Sequence, residues 1–439
     1  MMSSQSSGVK MRVAIAGYGV EGEENFKYGS KLGADVTIFD EAQETARPLP
    51  HGAETVLGEG VFSQMNGFDI VVRTASLNPE KIKTDGKIWS ATNEFFKECP
   101  APIIGVTGTK GKGTTCSLIA EILKVSGKNV HLVGNIGIPA LEVLPTIKPS
   151  DFVVFELSSF QLWDLEKSPE TAVILMIEPD HLNIHADMDD YVKAKSNIGK
   201  FQSEDNLMVY HPTNSLSQKA AEISRAKKVR YMTEEGAHID KDSNINIGGN
   251  IICDISEVGL LGPHNLENIC AAVSATWRYT QDIVAIKNAV MSFRGLPHRL
   301  EFVREIRGVK YYDDSCSSTP GATIAALKSF SEPLILILGG SDKGADMTEL
   351  LNTLNGSTHA VALIGASSNK LEIELKNHGF NRLVNLGSLR SMGEIINKVS
   401  SMVHSEKVVL LSPAHASFDM FNSFYDRGDQ FKEAVRSLQ

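Results

Sequence analysis

Residues 103–115 read Ile103-Ile104-Gly105-Val106-Thr107-Gly108-Thr109-Lys110-Gly111-Lys112-Gly113-Thr114-Thr115, and this stretch decides the fold. Ile103 to Thr107 form the apolar run of a buried strand. The residues after Thr115 carry the spacing of an amphipathic helix, and a glycine turn joins the two. Strand, glycine turn and helix make half of a βαβ unit, so a parallel sheet is expected. The same turn has a chemistry. Glycines let backbone N–H groups point at a phosphate, and a helix start adds a positive dipole end. Gly108, Thr109, Lys110, Gly111, Lys112, Gly113, Thr114 and Thr115 are therefore candidate phosphate-binding residues. Lys112 supplies a point charge for β- and γ-phosphates, and Thr114 or Thr115 a hydroxyl for magnesium. The strict P-loop pattern would place Gly at Val106 and Ser or Thr at Gly113, so this is a variant. The bland alternative is a glycine-rich turn before a helix.

Working outward, apolar strand-like runs alternate with helical stretches along nearly the whole chain, which predicts an α/β protein built on mainly parallel sheets. Three domains are expected. Residues 1–98 open with a strand at Arg12 to Ala16, a glycine turn and a second strand at Asp35 to Phe39, a Rossmann-like order. Residues 99–299 form a central P-loop-type domain with strands at Ile103 to Thr107, Phe152 to Phe155 and Ala172 to Ile177. They also hold a hairpin around Gly248 to Asn250. Residues 300–439 form a second Rossmann-like domain, with strands at Val309 to Tyr312, Leu334 to Leu338, Ala360 to Ile364 and Val408 to Leu411. In open parallel sheets ligands bind at the carboxyl ends of strands, so the loops there carry the candidate chemistry.

Composition excludes several classes. The 439 residues carry a formal charge of -10, against a nucleic-acid-coating role. No apolar run approaches the roughly 20 residues that span a bilayer. The polar, Ser-rich start lacks the apolar core of a signal peptide. Cys99, Cys116, Cys253, Cys270 and Cys316 have no metal-ligand spacing and read as reduced thiols, consistent with a cytoplasmic protein.

Beside the phosphate turn, Glu156 stands at a strand's carboxyl end, and Asp180 with His181 follows the strand that runs toward Ile177. Hard oxygen ligands in such places suit magnesium. A cap or surface role is the alternative for each. Lys195 falls with Tyr191, Ala194 and Ile198 on one face of a helix starting near Asp189. Burial disfavours an ammonium, and a neutral amine can take up carbon dioxide as a carbamate, an anionic metal ligand. The alternative is a lysine that snorkels to the surface. Near the amino terminus, Gly17-Tyr18-Gly19-Val20-Glu21-Gly22 matches the dinucleotide fingerprint, with Asp40 ending the next strand. Alone it suggests NAD and an oxidoreductase, although the same turn can hold any diphosphate.

Taken together, these residues resemble the Mur ligase family, which joins amino acids to UDP-muramoyl precursors. The resemblance rests on Gly108-Thr109-Lys110-Gly111-Lys112, Gly134-Asn135-Ile136-Gly137, Asp180-His181-Leu182, Tyr191 to Lys195, Gly262-Pro263-His264-Asn265 with Asn268, and Leu296-Pro297-His298-Arg299. The signature Glu156-Leu157-Ser158-Ser159-Phe160-Gln161-Leu162 and the tail from Leu411 to Phe421, with Phe424, Arg427 and Gly428, resemble the D-glutamate-adding branch. The resemblance implies an ATP-dependent amide ligase with UDP-N-acetylmuramoyl-L-alanine and D-glutamate as substrates, acting as a monomer. Lys112 would hold the ATP phosphates. Glu156, His181 and a carbamylated Lys195 would organise two magnesium ions, with Thr114 as a further ligand. Asn268 would meet adenine, and Arg299 and Asp314 the phosphates and ribose. Gly19, Val20 and Asp40 would lie at the UDP, so that the first glycine turn grips UDP rather than NAD. Asn135, Ser158 and His181 would contact the muramoyl part, and Ser318, Lys343, Ser417 and Phe424 the glutamate. The sequence departs from the family at Cys316, where a lysine is usual, at Met176 and Asn183, and in the loop Arg73-Thr74-Ala75-Ser76. A folylpolyglutamate synthase is the related alternative, and a nucleotide-binding regulator the non-enzymatic one.

The phosphate-loop reading predicts that Lys112→Ala slows phosphate release by more than about threefold, a loss above roughly 0.7 kcal/mol of transition-state stabilisation. Steady-state assays of purified protein check this, and a smaller change contradicts it.

Overall fold

Valine- and isoleucine-rich runs closed by glycine or polar turns become the strands of four sheets, seen in a computed structural model that describes residues 10–135, 139–260, 262–342 and 344–438. The chain divides into two compact units. One runs up to Val258 and includes Leu266–Ser292; the other comprises Gly259–Asn265 and the chain from Phe293.

The first unit opens with a five-stranded parallel sheet. Its spatial order is Glu54–Leu57, Asp35–Asp40, Arg12–Ala16, Ile70–Arg73, Lys87–Ser90. Alternate residues of the central strands feed two cores: Val13, Ile15, Val36 and Val72 on one face, Ala14, Ala16, Phe39 and Val71 on the other. Burial on both faces explains the unbroken apolar runs. The order reverses between Arg12–Ala16 and Ile70–Arg73, so the switch point, where open parallel sheets place a ligand crevice, lies between the glycine turn after Ala16 and the loop after Arg73. The helix Val20–Lys31 starts at that turn, with Gly19 as its N-cap.

The same unit contains a six-stranded parallel sheet in the order Lys227–Arg230, Leu207–Tyr210, Thr171–Ile174, Ile103–Thr107, Phe152–Glu156, Val130–Gly134. The strand expected to reach Ile177 leaves the ladder after Ile174. Leu175, Met176 and Ile177 are apolar because their surroundings are packed. Leu175 still donates its N–H to the Thr107 carbonyl at 2.9 Å, but beyond it the partners change: the Thr109 N–H donates to the Met176 carbonyl at 2.9 Å, and Asn214 brackets Ile177. A small antiparallel sheet contains the expected hairpin, Asn244–Ile247 with Asn250–Asp254. Its turn residues Gly248 and Gly249 both have positive φ, 55° and 78°, as a two-residue hairpin turn requires.

The second unit contains a six-stranded sheet in the order Glu301–Ile306, Val309–Asp313, Val408–Leu411, Leu334–Gly339, Thr358–Ile364, Leu383–Asn385. Only the first pair is antiparallel. Leu334–Gly339 is buried throughout and separates two apolar cores. Among the described residues no helix is long and apolar enough to cross a membrane.

Gly22 packs its helix onto the first turn. A Cβ there would stand 2.2 Å from the Gly17 carbonyl oxygen, a backbone atom that no rotamer change can move. The helix-propensity gain of alanine, about 1 kcal/mol, is outweighed by overpacking of about 1–3 kcal/mol or more. Gly22→Ala is thus expected to lower the denaturation midpoint of this unit in urea. An unchanged or raised midpoint would show that the turn is looser than described.

Candidate active site

The phosphate turn is held by close approaches that exclude side chains. Gly108 has φ 146°, and a Cβ on it would meet the Leu175 Cβ at 2.7 Å. Gly111, φ 83°, is the N-cap of the helix Lys112–Val125, and a Cβ there would meet Asn268 Oδ1 at 2.3 Å. Thr109 is pinned on three sides. Its Oγ1 donates to the Glu178 carbonyl at 3.1 Å, accepts the Glu178 N–H at 2.9 Å, and lies 3.2 Å from the Tyr191 hydroxyl. Lys110 is exposed, its Nζ 3.5 Å from a Glu178 carboxylate oxygen. Gly113 is the second residue of the helix, and Thr114 and Thr115 are buried in its first turn. The Thr115 hydroxyl donates to Asn268 Oδ1 at 3.3 Å, so the asparagine expected at adenine also braces the turn. Lys112 folds back, its Nζ donating to the Gly108 and Thr109 carbonyls at 3.1 and 3.0 Å.

Lys195 converges on the same carbonyl. It lies on the helix Met188–Ser196, is only 1% exposed, and its Nζ donates to Gly108 O at 2.9 Å and reaches Thr107 Oγ1 at 3.5 Å. The Tyr191 ring lies 4.5 Å away. The amine points into the protein, so the snorkelling alternative is excluded. Burial holds its pKa well below the ordinary lysine value, the Lys112 charge lowers it further, and Asp180 opposes the shift.

Glu156 is the last residue of its strand and is buried; its Oε1 accepts the Asn135 side-chain amide at 3.2 Å. Asn135 also donates its N–H to the Glu156 carbonyl at 3.1 Å. Ile136 and Gly137 of the same motif lie outside the described residues. Ser158 caps the short helix Ser159–Leu162 in a reciprocal capping box with Gln161. His181 is exposed and has a positive φ of 54°, a sparsely populated conformation that marks a constrained site. Its ring lies 4.9 Å from that of Phe160 and 3.6 Å from an Asp180 oxygen.

Sequence reading missed His185. It is buried, with Nδ1 2.9 Å from Asp190 Oδ2 and Nε2 2.9 Å from Ser159 Oγ, and it stacks on Phe160. Burial lowers its pKa, so the neutral ring ties the Lys195 helix to the segment after Glu156. Its only sequence signal is a histidine four residues after another.

In the amino-terminal turn, Asp40 Oδ2 accepts the Tyr18 N–H at 2.6 Å and Oδ1 the Ala42 N–H at 2.8 Å, so it shapes the loop beside Gly19 and the exposed Val20. In the second unit, Asp314 is buried and pushed up to about 6 by desolvation, while accepting the Ser412 hydroxyl at 2.7 Å and the Leu300 N–H at 3.2 Å. Arg299 is exposed beside it. Cys316 is half-buried, and burial pushes its thiol up to about 12, so a neutral group stands where the resemblance led to a lysine. Ser318 is exposed, Ser417 is buried, and Phe424 stacks on Tyr425 at 4.1 Å. Lys343 lies outside the described residues. Buried Arg427, quoted in the tail signature but given no role there, bonds Ser315 Oγ at 2.9 Å, Ser315 O at 2.8 Å and His415 O at 3.1 Å, tying together the two loops that carry Ser318 and Ser417.

Among the described residues, the His, Cys, Asp and Glu side chains close enough together to share an ion are His298, Glu301 and Asp313. They are already engaged: His298 Nδ1 lies 2.7 Å from Asp313 Oδ2, and Lys432 pairs with Glu301 at 3.2 Å. Glu156 and His181 are not so grouped. The Glu156 carboxylate and Thr114 hydroxyl are hard oxygen donors, one on the strand paired with Ile103–Thr107 and one in the first turn after it, and that donor chemistry fits magnesium. Lys195 as an ammonium donates to Gly108 O and offers a metal no lone pair.

Comparison with known proteins gives a consistent picture. The Mur ligase middle domain family matches residues 106–276, and the Mur ligase glutamate ligase domain matches residues 298–415. A UDP-N-acetylmuramoylalanine--D-glutamate ligase of Clostridium kluyveri is 39% identical, over 97% of each chain. The enzyme of the same name from Clostridium tetani is 38% identical, again over 97% of each. Among solved structures, a UDP-N-acetylmuramoylalanyl-D-glutamyl-2,6-diaminopimelate--D-alanyl-D-alanyl ligase from Acinetobacter baumannii shares the fold, with TM-score 0.61 and 14% identity over 99% of this chain and 95% of that one.

The Lys195 environment has a measurable consequence. With its folded pKa depressed, the unfolded chain binds more protons between that pKa and the ordinary lysine value near 10.4, so wild-type stability rises with pH across that window. Lys195→Met removes the buried charge and leaves Gly108 O its bond from Lys112. The variant is expected to be about 1 kcal/mol more stable at pH 7 in carbonate-free buffer, with the advantage shrinking toward pH 10. Urea midpoints at the two pH values check the sign, and a pH-independent difference contradicts it.

Proposed function

The chain belongs to the Mur ligase family, and from that premise we propose that it joins D-glutamate to UDP-N-acetylmuramoyl-L-alanine at the expense of ATP, as a cytoplasmic, monomeric enzyme of peptidoglycan synthesis. The observation that carries the reading is the pair of lysines, Lys112 and Lys195, meeting at the Gly108 carbonyl in a glycine turn. Full-length likeness to the two clostridial ligases supports the substrate assignment. That likeness includes the amino-terminal sheet, which favours this reading over a folylpolyglutamate synthase.

A carboxylate does not acylate an amine without activation. In the proposed reaction the alanyl carboxylate attacks the γ-phosphorus of ATP, and ADP leaves. Lys112 Nζ moves from the two loop carbonyls onto the β- and γ-phosphate oxygens, and the helix start at Gly111 faces the same charge. Magnesium, held by Glu156, Thr114, His181 and a carbamylated Lys195, would neutralise charge on the phosphoryl oxygens. Asn135 keeps the Glu156 carboxylate oriented, and His181 meets the muramoyl substrate. The glutamate amine then attacks the acyl phosphate, and the tetrahedral intermediate collapses to amide and phosphate. Asn268, Arg299 and Asp314 are assigned to the nucleotide, the crevice beside Gly19, Val20 and Asp40 to UDP, and Ser158 to the muramoyl part. Ser318, Lys343, Ser417 and Phe424 are assigned to the glutamate. The proposed domains remain 1–98, 99–299 and 300–439. Positioning and electrostatics suffice, and no side-chain nucleophile is required.

The test is phosphate release from ATP with UDP-N-acetylmuramoyl-L-alanine and a panel of D- and L-amino acids. Release with D-glutamate well above that with L-glutamate is expected, and equal rates would contradict the stereochemical assignment. For the metal role, Lys195→Ala is expected to be inactive and to regain activity with added short carboxylic acids. Full activity without them would remove Lys195 from the site.

A further inference from the structure

Arg73 ends the strand Ile70–Arg73 and is wholly buried. Beside a glycine turn at a strand's carboxyl end, an arginine reads as a phosphate ligand. Here it is turned inward, with its nitrogens engaged. Nε donates to Asp164 Oδ2 at 2.7 Å, and Nη2 to Asp164 Oδ1 at 2.5 Å and to the Phe160 carbonyl at 2.9 Å. Nη1 donates to the carbonyls of Thr74, Ala75 and Leu77 at 3.3, 3.0 and 3.4 Å.

It grips two segments. The first, residues 74–77, forms one wall of the switch-point crevice. The Thr74 N–H and hydroxyl both bond the Ala16 carbonyl, at 3.0 and 3.1 Å, and the Ala75 N–H donates to Glu21 Oε2 at 2.7 Å. The second runs from Phe160 to Asp164, directly after Glu156 and Ser158. Its Phe160 ring faces His181, and Asn93 fixes its far end by donating to the Asp164 carbonyl at 2.8 Å. A buried ion pair is a poor device for stability, because apolar groups of similar volume often do as well. A planar guanidinium fork is a good device for direction.

We propose that Arg73 is a positioning residue: with Asp164 it sets the spacing between the crevice that takes the diphosphate end of the muramoyl substrate and the Glu156–His181 segment that takes its reacting end, without itself touching the substrate. This rests on the ligase reading above and deepens it.

The test is the double variant Arg73→Met with Asp164→Leu, which replaces the pair by apolar groups and should keep the wild-type melting midpoint within a few degrees. Calorimetric affinity for UDP-N-acetylmuramoyl-L-alanine should fall at least about tenfold and kcat should drop, while the KM for ATP stays within about twofold. Arg73→Lys, which keeps charge without the fork, should show the same pattern, and carries the test if the double variant does not fold. Substrate affinity and kcat within about twofold of wild type would overturn the proposal, as would an equal rise in the KM for ATP. Failure of the ligase reading looks different: wild-type protein would bind the muramoyl substrate yet release no phosphate.

Discussion

Two lysine amines donate to one backbone carbonyl, that of Gly108, and the proposed chemistry of this protein depends on that convergence. One amine, Lys112, stands at a helix start and also donates to the Thr109 carbonyl. The other, Lys195, is buried on a separate helix. Burying an ammonium without a carboxylate partner costs several kcal/mol. The loop carbonyl, the Thr107 hydroxyl and the Tyr191 ring offset only part of this, which is why the Lys195 pKa falls. A group so poorly matched to its surroundings is more readily explained by function than by stability.

Sheet topology brings the rest of the constellation to the same place. Ile103–Thr107 sits between Thr171–Ile174 and Phe152–Glu156, all parallel, so the phosphate turn, Glu156 and the segment leading to His181 leave one edge together. Tyr191 links the Lys195 helix to Thr109, and His185 links it to Ser159. Arg73 continues the frame to the amino-terminal crevice. In the second unit Arg427 does comparable work, holding the loop after Asp313 against the loop after Leu411. The left-handed backbones of His181, His298 and Leu300 fall in such loops, where strain is tolerated because neighbours over-determine the conformation.

The strands were legible because parallel sheets buried on both faces demand unbroken β-branched runs, and Arg12–Ala16, Ile103–Thr107 and Val408–Leu411 lie where those runs stand. The glycine turn after Thr107 was legible because glycine is needed where the backbone meets Leu175 and Asn268. The helical face of Lys195 left burial and snorkelling both open, and the structure has it buried. Other features depend on partners distant in sequence. Leu175 to Ile177 looked like strand since hydrophobicity reports burial, not ladder pairing. The Asp190–His185–Ser159 chain and the Arg73 fork join residues 26 and 91 positions apart, and no local pattern encodes them. Arg73 itself stood only as the first residue of a loop that departs from the family, because its partners Phe160 and Asp164 lie far along the chain.

The central claim is that a substrate carboxylate takes the γ-phosphoryl group of ATP at the Lys112 turn before the amine arrives. Oxygen-18 tracing tests it most directly, using UDP-N-acetylmuramoyl-L-alanine doubly labelled in its carboxylate, turned over with ATP and D-glutamate, and mass analysis of the inorganic phosphate. An acyl-phosphate route predicts one labelled oxygen in every phosphate released, since the bridging oxygen leaves with phosphorus. Phosphate free of label, with amide still formed, would contradict it.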